Sequence, residues 1–436
     1  MSDSPSPRSA APARSTGWRR WLGALSLDLT PLRASRDYRL LFTGQFVSAF
    51  GTAISFVVLP WQMYQLTKST LLVGLLGVAE FVPMFLLAFA GGALADAIDR
   101  RKLILGAEIG LALCCALLAA NALLATPRVW VLFLGASWFA AFNALHRPAI
   151  ESLTPRLVAP EHLPAVSALS SLRSFTFVAG PALAGAIAVA FGAAVAFALD
   201  FATYLVAIVT LLLMRSVPVP TNAARPGFAA IVEGLKYART RQELLGTYLI
   251  DLNAMFFAMP IALFPALAEN FGGAAIGLFY SMLALGPLLV TLTSGWTRWV
   301  QRQGRAIVIA VLVWGAAIVG FGAAPNLWLA LGCLLIAGAA DGISGIFRMT
   351  IWNQTIPDRL RGRMASIEMV SYLSGPYLGN AQVGFTASVL GPRVGVMWGG
   401  GFCIAGVATL VWLLPGFLRY DARQGLAHRA NDNPAQ

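Results

Sequence analysis

Long apolar runs recur along the whole chain and limit what it can fold into. A helix needs about 20 apolar residues to cross the hydrocarbon core of a bilayer, and the chain supplies such runs from residue 41 to residue 415. Only 11% of its 436 residues are charged, whereas soluble domains are roughly 25% charged. The chain is therefore predicted to be an all-α, polytopic membrane protein, and soluble enzyme classes are excluded.

The apolar runs divide into twelve predicted membrane spans. They are Leu41–Tyr64, Leu71–Ala95, Leu103–Leu124, Trp130–Leu145, Val166–Val189, Ala193–Met214, Leu244–Ala268, Ala274–Gly295, Ala306–Ala323, Leu327–Arg348, Met364–Leu390 and Val394–Pro415. The predicted organisation is a disordered tail (residues 1–40), a six-helix bundle (41–214), a linker (215–243), a second six-helix bundle (244–416) and a short tail (417–436). The linker ends in an amphipathic stretch, which is expected to form a helix on the membrane surface.

Basic residues are concentrated in alternate connections. If both tails are cytoplasmic, the inner segments carry 26 Lys and Arg residues and the outer loops carry three. This asymmetry is typical of the positive-inside rule, so we expect both termini in the cytoplasm. It also accounts for the net charge of +12, and no nucleic-acid partner is expected. The four cysteines lie within spans without metal-ligand spacing, so neither a metal site nor a disulfide is predicted.

Three pairs of segments indicate that the two bundles are copies of one another. "VGLLGVAEFVP" (73–83) matches "IGLFYSMLALG" (276–286), and "AGPALAG" (179–185) matches "SGPYLGN" (374–380). "FNALHRPAIESLT" (142–154) matches "ISGIFRMTIWNQT" (343–355) and pairs Arg147 with Arg348. A tandem repeat about an axis along the membrane normal places a substrate site between the halves, near the midplane of the bilayer.

This arrangement resembles the major facilitator superfamily (MFS) of transporters across nearly the whole chain. The connection "GGALADAIDRRK" (91–102) is similar to the superfamily's gating motif and departs from it at Ala97 and Asp99. Its matching positions include Gly92, Asp96, Arg100 and Arg101. The resemblance implies that Asp96 meets the N-terminus of span 11, where free amides favour negative charge, and latches the halves together on the cytoplasmic side. The cations alone could equally anchor the inner face, and the second-half copy of the motif has Trp299 in place of the aspartate.

A Gly-Pro pair stands in span 5 and again in span 11. Gly180 and Pro181 resemble the superfamily's antiporter motif, and Gly375 and Pro376 form the second copy. Proline removes a helix hydrogen bond and kinks the chain, while glycine lets helices approach closely. The paired motifs favour an exporter over an importer.

Ionisable residues inside spans are costly and usually face a cavity or a partner. Glu80, Asp251 and Asp341 are therefore predicted as sites of proton coupling or substrate binding. Arg348 lies two turns after Asp341 on the same helix face, so it either pairs with that aspartate or binds an anionic substrate. Arg147 has a simpler interpretation, an ion pair with Glu151 four residues later, in a group that includes His146.

Four further charged residues and the cavity wall complete the expectations. Arg173 and Glu368 are predicted gating contacts between the halves. Glu108 and Asp200 are assigned to the outside of the bundle as structural groups. The resemblance places spans 1, 4, 7 and 10 around the cavity, whose predicted lining is aromatic and rich in amides, and this favours flat, amphiphilic cargo. The lining residues are Gln45, Phe46, Phe50, Asn143, Asn253, Phe256 and Phe257.

No nucleotide-binding loop is present, so no cofactor is expected, and transport must draw on an ion gradient or on a substrate that moves down its own gradient. Segments such as "LFPALAENFGGAAIGLFYSMLALGPLLVTLTSG" (263–295) resemble the branch of bacterial siderophore exporters and drug:proton antiporters. The resemblance implies a proton-driven exporter of a siderophore or hydrophobic drug in the bacterial inner membrane. One chain is sufficient for this fold, so a monomer is expected. Two alternatives remain: an importer of a small nutrient on the same fold, and a membrane receptor or scaffold that transports nothing.

Overall fold

The computed structural model describes residues 28–97, 99–215, 240–356 and 361–421. Residues 88–97, 174, 361–363 and 365–373 are described by their backbone alone. Most of the predicted disordered tail and the predicted amphipathic helix of the linker lie outside the described residues. Within them the chain is helical and contains no strand, which confirms the all-α prediction.

Twelve helical segments of the described chain correspond to the twelve predicted spans. They are α1 (Arg36–Thr67), α2 (Thr70–Ala97), α3 (Arg100–Ala122), α4 (Val129–Leu153), α5 and α6 (the two parts of Thr176–Leu213), α7 (Gln242–Ala258), α8 (Ala275–Leu292), α9 (Gln303–Ala323), α10 (Leu327–Thr355), α11 (Arg361–Leu390) and α12 (Pro392–Leu413). Gly192 separates α5 (176–191) from α6 (193–213), because its φ of 80° lies in the left-handed region that glycine tolerates.

Two predicted spans are interrupted in the structure. Span 7 was expected to run unbroken from Leu244 to Ala268, but α7 ends at Ala258 and helix resumes only after Pro260. The reason is that a residue before proline is pushed towards extended backbone, and Met259 adopts ψ 111°. Span 5 was expected to begin at Val166. A helix over Leu163–Leu172 and a 3-10 turn over Arg173–Phe175 instead precede α5.

Each half is a six-helix bundle, and the halves meet along two pairs of helices. α2 of the first half packs against α11 of the second, and α5 packs against α8. Glycines make these approaches close: a Cβ on Gly74 would lie 2.5 Å from the Asn380 carbonyl, and one on Gly277 would lie 2.2 Å from the Pro181 carbonyl. Small residues therefore hold the two halves at backbone-to-backbone distance, as in other membrane helix pairs.

The halves are joined on one face of the molecule. We call the face with the α2–α3, α4–α5, α6–α7, α8–α9 and α10–α11 connections the basic face, and the other the opposite face. On the opposite face Lys68 pairs with Glu269 at 2.5 Å, and the Thr70 hydroxyl donates to the Gly384 carbonyl at 3.2 Å. The main hydrophobic core runs through both halves, whereas residues of α1, α3, α4 and α6 near the basic face pack in a separate cluster. The structure is thus closed on the opposite face.

Candidate functional site

Three charged side chains of the second half meet between α7 and α10. The Arg348 guanidinium forms an ion pair with Asp251 through Nη1, and its Nη2 lies 3.7 Å from Asp341 Oδ1. The Arg348 and Asp251 side chains are each 13% exposed, and that of Asp341 is 35% exposed. The predicted Asp341–Arg348 proximity is confirmed, but the closer partner comes from another helix. We call these three residues the C-half triad.

The C-half triad combines two carboxylates with one guanidinium. If all three groups are ionised, the net charge is −1, so one carboxylate can take up a proton or face a hydrogen-bond donor of a substrate while the other keeps the arginine paired. Asp341 suits the role of taking up a proton or facing a substrate, because it is the more exposed carboxylate and the more distant from Arg348. Asp251 satisfies the guanidinium, which is costly to leave unpaired within a membrane.

The first half carries a different polar cluster, formed by α1, α3 and α4. Glu108 is completely buried, and its Oε1 accepts a hydrogen bond from Gln45 Nε2 at 2.7 Å and shares a second hydrogen bond with His146 Nε2 at 2.8 Å. We call Gln45, Glu108 and His146 the N-half cluster. Glu108 was assigned to the outside of the bundle and Gln45 to the cavity wall. The structure instead turns both side chains into the bundle, because buried polar groups in a membrane helix need partners on neighbouring helices.

Asp200 is also buried inside the first half rather than on its outside. Its carboxylate accepts hydrogen bonds from the Ser55 hydroxyl, from the Cys115 thiol at 3.2 Å and from the Thr203 hydroxyl at 3.2 Å. The donors come from α1, α3 and α6, so this carboxylate ties three helices together. These hydrogen bonds suit the structural role predicted for Asp200. Its predicted location on the outside of the bundle was wrong, because the side chain is buried inside the first half.

Arg147 forms the predicted ion pair with Glu151. The two side chains are 3.0 Å apart and 73% and 67% exposed. His146 was grouped with this pair, but its ring points the other way, towards Glu108. Successive residues on a helix point about 100° apart, so neighbours in sequence can serve different surfaces.

The gating connection is only partly described. Gly92, Asp96 and Glu368 are described by their backbone alone, so the latch and the Arg173–Glu368 contact stay predictions. Arg101 donates to the carbonyls of Leu211 and Leu212, at 2.7 and 2.9 Å, and thus binds the end of α6 in its own half.

Other residues of the gating region also have local roles. The carboxylate of Asp99, which replaces a glycine of the superfamily motif, caps α3 by accepting from the Arg101 amide at 2.9 Å. The Arg100 side chain is buried. Arg173 is half-buried and lies in the 3-10 turn before α5, where its carbonyl accepts from the Thr176 hydroxyl.

The two Gly-Pro pairs occupy equivalent places in the halves. A Cβ on Gly180 would lie 2.6 Å from the Ala53 side chain of α1, and one on Gly375 would lie 2.9 Å from the Met255 side chain of α7. Pro181 and Pro376 follow inside α5 and α11. Each pair therefore brings an interface helix against the first helix of a bundle.

The predicted cavity wall divides into two groups. Phe46 and Phe50 stack edge to face along α1 and are half-buried, as are Phe256 and Phe257 on α7. Asn253 differs, because it donates to the Cys403 carbonyl of α12 at 3.0 Å. Phe257 also packs on Phe402 of α12, and the Asn143 amide donates to the Phe139 carbonyl of its own helix. The amides predicted for the lining thus form hydrogen bonds within their own bundles, whereas its four phenylalanines are half-buried.

Glu80 lies half-buried on α2 and within electrostatic range of Tyr280 on α8. It thus stands at the junction of the halves, where a coupling role and an interhelix contact are both open.

Sequence reasoning named every member of the C-half triad but missed the pairing of Glu108 with His146. The only available signal for that pair was a glutamate inside an apolar span, because 38 residues separate it from the histidine.

Sequence comparison identifies proteins that resemble the chain over most of its length. A family model described as transmembrane secretion effector matches residues 26–424. The enterobactin exporter EntS of Shigella boydii serotype 4 (strain Sb227) is 28% identical over 393 residues, which cover 89% of this chain and 94% of the relative. EntS of Salmonella typhi is 28% identical over 397 residues, which cover 90% and 95%.

Solved structures of membrane transporters share the fold. The nucleoside transporter NupG superposes with a TM-score of 0.72 at 11% identity, over 88% of this chain and 100% of that one. A bacterial homologue of the iron transporter ferroportin, described as inward-facing, gives a TM-score of 0.67 at 17% identity, over 88% and 98%. The chain therefore belongs to the transmembrane secretion effector family and is an MFS membrane transporter, not an enzyme.

Proposed function

We propose that this chain exports a catecholate siderophore from the cytoplasm across a bacterial inner membrane, in exchange for protons. The similarity to enterobactin exporters along about 90% of both chains carries the proposal. The basic face is then the cytoplasmic face, because Lys and Arg accumulate in cytoplasmic loops, and both termini lie in the cytoplasm. One chain provides both halves, so the working unit is a monomer.

The closed opposite face supports loading from the cytoplasm. Cargo enters between the halves from the basic face and lies against the aromatic side chains Phe46, Phe50 and Phe256. Catechol rings suit this wall, since they are flat, and their hydroxyls can donate to a carboxylate such as Asp341. Cargo release follows when the α2–α11 and α5–α8 contacts separate and the basic face closes, which is the alternating-access cycle of two repeats moving about one site.

Proton exchange supplies the energy in this proposal. A carboxylate that binds a proton on one face and loses it on the other couples transport to the gradient, and Asp341 and Asp251 are the candidates in the C-half triad. Arg348 holds one carboxylate ionised while the other exchanges its proton. Glu80 at the junction of the halves is a third candidate.

The test uses purified protein in proteoliposomes with an imposed pH gradient. Enterobactin, a tetracycline, a macrolide and a neutral sugar are added in turn, and proton flux and cargo movement are recorded. We expect enterobactin to move protons, and the neutral sugar to have no effect. Asp251→Asn, Asp341→Asn and Glu80→Gln then show which carboxylates are required.

Two outcomes would replace this proposal. Flux triggered by the tetracycline or macrolide but not by enterobactin would assign a drug-like cargo, for which the aromatic wall is the supporting observation. Absence of flux with every compound would contradict proton-coupled export. The importer and scaffold alternatives are not favoured, because the relatives, covered over 94% and 95% of their lengths, are described as exporters.

A further inference from the structure

The N-half cluster has no assigned role in transport, yet its geometry is unusual for a purely structural contact. Glu108 is 0% exposed on α3, and both of its described hydrogen bonds reach the same oxygen, Oε1. Oε2 is buried and has no hydrogen-bond partner within the described part of the chain. An ionised carboxylate has about four acceptor sites to satisfy. At most two donors of the described residues reach Glu108, namely Gln45 and, in one tautomer, His146, so the site serves a full negative charge poorly.

Asp200 gives the comparison within the same half. It is equally buried, but three donors are shared between its two oxygens and none of them belongs to a residue that titrates near neutral pH. Glu108 instead faces a histidine, the side chain whose charge changes most readily near neutral pH. Two buried carboxylates of one half thus differ in their access to a proton donor.

His146 connects Glu108 to water. Its Nε2 faces the Glu108 carboxylate, and its own side chain is 12% exposed. A histidine can accept a proton at one ring nitrogen and give one up at the other. The ring therefore offers a route of one residue between a buried carboxyl and the solvent at the basic face.

Several charged and titratable groups surround Glu108 and His146. Arg173, at the start of α5, and Asp200 and Tyr204, on α6, are within electrostatic range of Glu108. Arg147 and Glu151 share α4 with His146 and neutralise each other, and α1 contributes the uncharged amide of Gln45. One proton on the Glu108–His146 pair therefore changes the charge of this buried region by one unit, whichever of the two residues holds it.

The cluster also adjoins the cargo path. Gln45 precedes the aromatic Phe46 on α1, and Asn143 lies one turn before His146 on α4. A cargo molecule that lies between the halves and against α1 and α4 therefore contacts the two helices that place Gln45 and His146 beside Glu108. Movement of these two helices changes the hydrogen bonds that Glu108 accepts and the access of His146 to water.

We propose that Glu108 carries a transported proton and that His146 is its route to the basic face. On release, the Glu108 carboxyl gives its proton to His146 Nε2, and the other ring nitrogen of His146 gives a proton to water. Glu108 is then a carboxylate and His146 a neutral imidazole with its proton on Nε2, and one proton has left the protein. The inference rests on the proposed function, and it adds a proton site in the first half to the candidates of the second.

The test separates proton coupling from cargo binding in proteoliposomes. Exchange of labelled for unlabelled enterobactin without a pH gradient requires only binding and movement of the loaded carrier. Accumulation of enterobactin against its own gradient requires the proton. We expect Glu108→Gln to retain at least half of the exchange rate while accumulation falls to the level seen without a pH gradient.

A matched control and a second variant define the roles. Asp200→Asn removes an equally buried acid and is expected to retain accumulation. His146→Asn keeps a donor near Glu108 but cannot relay a proton, so the initial rate should fall about a hundredfold or more, which is the lower end of general acid–base contributions, while the final accumulation is unchanged. Loss of final accumulation in His146→Asn would contradict this division between carrier and route.

The failures are distinguishable. If wild-type protein does not accumulate enterobactin under a pH gradient, the proposed function fails. If wild-type protein does so and Glu108→Gln does so equally, only the proton site at Glu108 is wrong.

A measurement on wild-type protein covers the case in which Glu108→Gln does not fold. Dicyclohexylcarbodiimide reacts with protonated carboxyls in apolar sites, and peptide mass spectrometry reads the labelled residue. We expect labelling at Glu108 that declines as the pH rises and when enterobactin is added. Labelling confined to Asp341 or Asp251 would overturn the inference.

Discussion

The two halves share one helical plan but place their charged groups differently. Arg147 and Arg348 occupy matching positions of the repeat, yet the first is exposed and pairs with Glu151 on its own helix, while the second is mostly buried and pairs with Asp251 on α7. The first half instead buries Glu108 behind α1 and α4. The comparison shows that a repeat reproduces helices and kinks without reproducing their chemistry, so each half can serve a different step of transport.

Removing the arginine of the C-half triad should have the largest effect. Arg348→Met leaves two carboxylates without their cation, and breaking a buried ion pair costs about 3–5 kcal/mol of stability. We expect transport to fall to background and the melting temperature in detergent to drop. The double variant Arg348→Met, Asp251→Asn should regain much of the stability but not the transport.

The repeat mate provides the control for that prediction. Arg147→Met removes an exposed pair, which contributes about 0.2–1 kcal/mol, so stability and transport should change little. Equal losses in the two variants would show that the halves use their matching arginines in the same way and would contradict the comparison.

A side chain at the α5–α8 contact should prevent the opposite face from closing. The Cβ of Gly277→Val would meet the Pro181 carbonyl 2.2 Å away, and overpacking costs typically about 1–3 kcal/mol. We expect transport to fall about tenfold, since 1.4 kcal/mol corresponds to a factor of ten. Spin labels at the opposite-face ends of α2 and α11 should report a longer distance. Gly332→Val is the control because nothing lies within 4 Å of the added Cβ, and equal effects at the two positions would contradict the prediction.

Arg101→Gln distinguishes an anchor from a latch. Its side chain donates to two carbonyls at the end of α6, and a hydrogen bond from a charged group contributes about 1.5–3 kcal/mol. The variant should unfold at a lower temperature but retain its transport rate per folded molecule. Asp96→Asn, at the predicted latch, should change the transport rate more than the stability. The opposite pattern would exchange the two roles.

Reversal of the exposed pair on the opposite face should have the smallest effect. Lys68→Glu places two negative charges together, and exposed pairs of this kind are worth about 0.2–1 kcal/mol. We expect the closed population, measured with the same spin labels, to fall about two- to fivefold and to recover in Lys68→Glu, Glu269→Lys. The difference should shrink at high salt, because salt screens exposed charges. Unchanged populations would show that the glycine contacts alone close this face.

Particular residues show how far the sequence predicts the site. Asp341 and Arg348 could be placed on one helix face because a seven-residue separation corresponds to two helical turns. Arg147 and Glu151 could be paired for a similar local reason. Asp251 and Glu108 could be recognised as costly charges in apolar spans, but their partners lie 97 and 38 residues away, and periodicity within a helix carries no information about such distances.

The sequence alone determined the helical class, the number of spans, the charge asymmetry and the repeat, because a bilayer requires long apolar helices whose backbone polar groups are satisfied internally. It also located the Gly-Pro pairs, whose backbone effect is local. Only the tertiary structure decided that Gln45 and His146 turn towards Glu108, that Arg101 binds the end of α6, and that the halves close on the opposite face. These features depend on how each helix is rotated about its axis, and that rotation is set by packing between helices distant in sequence.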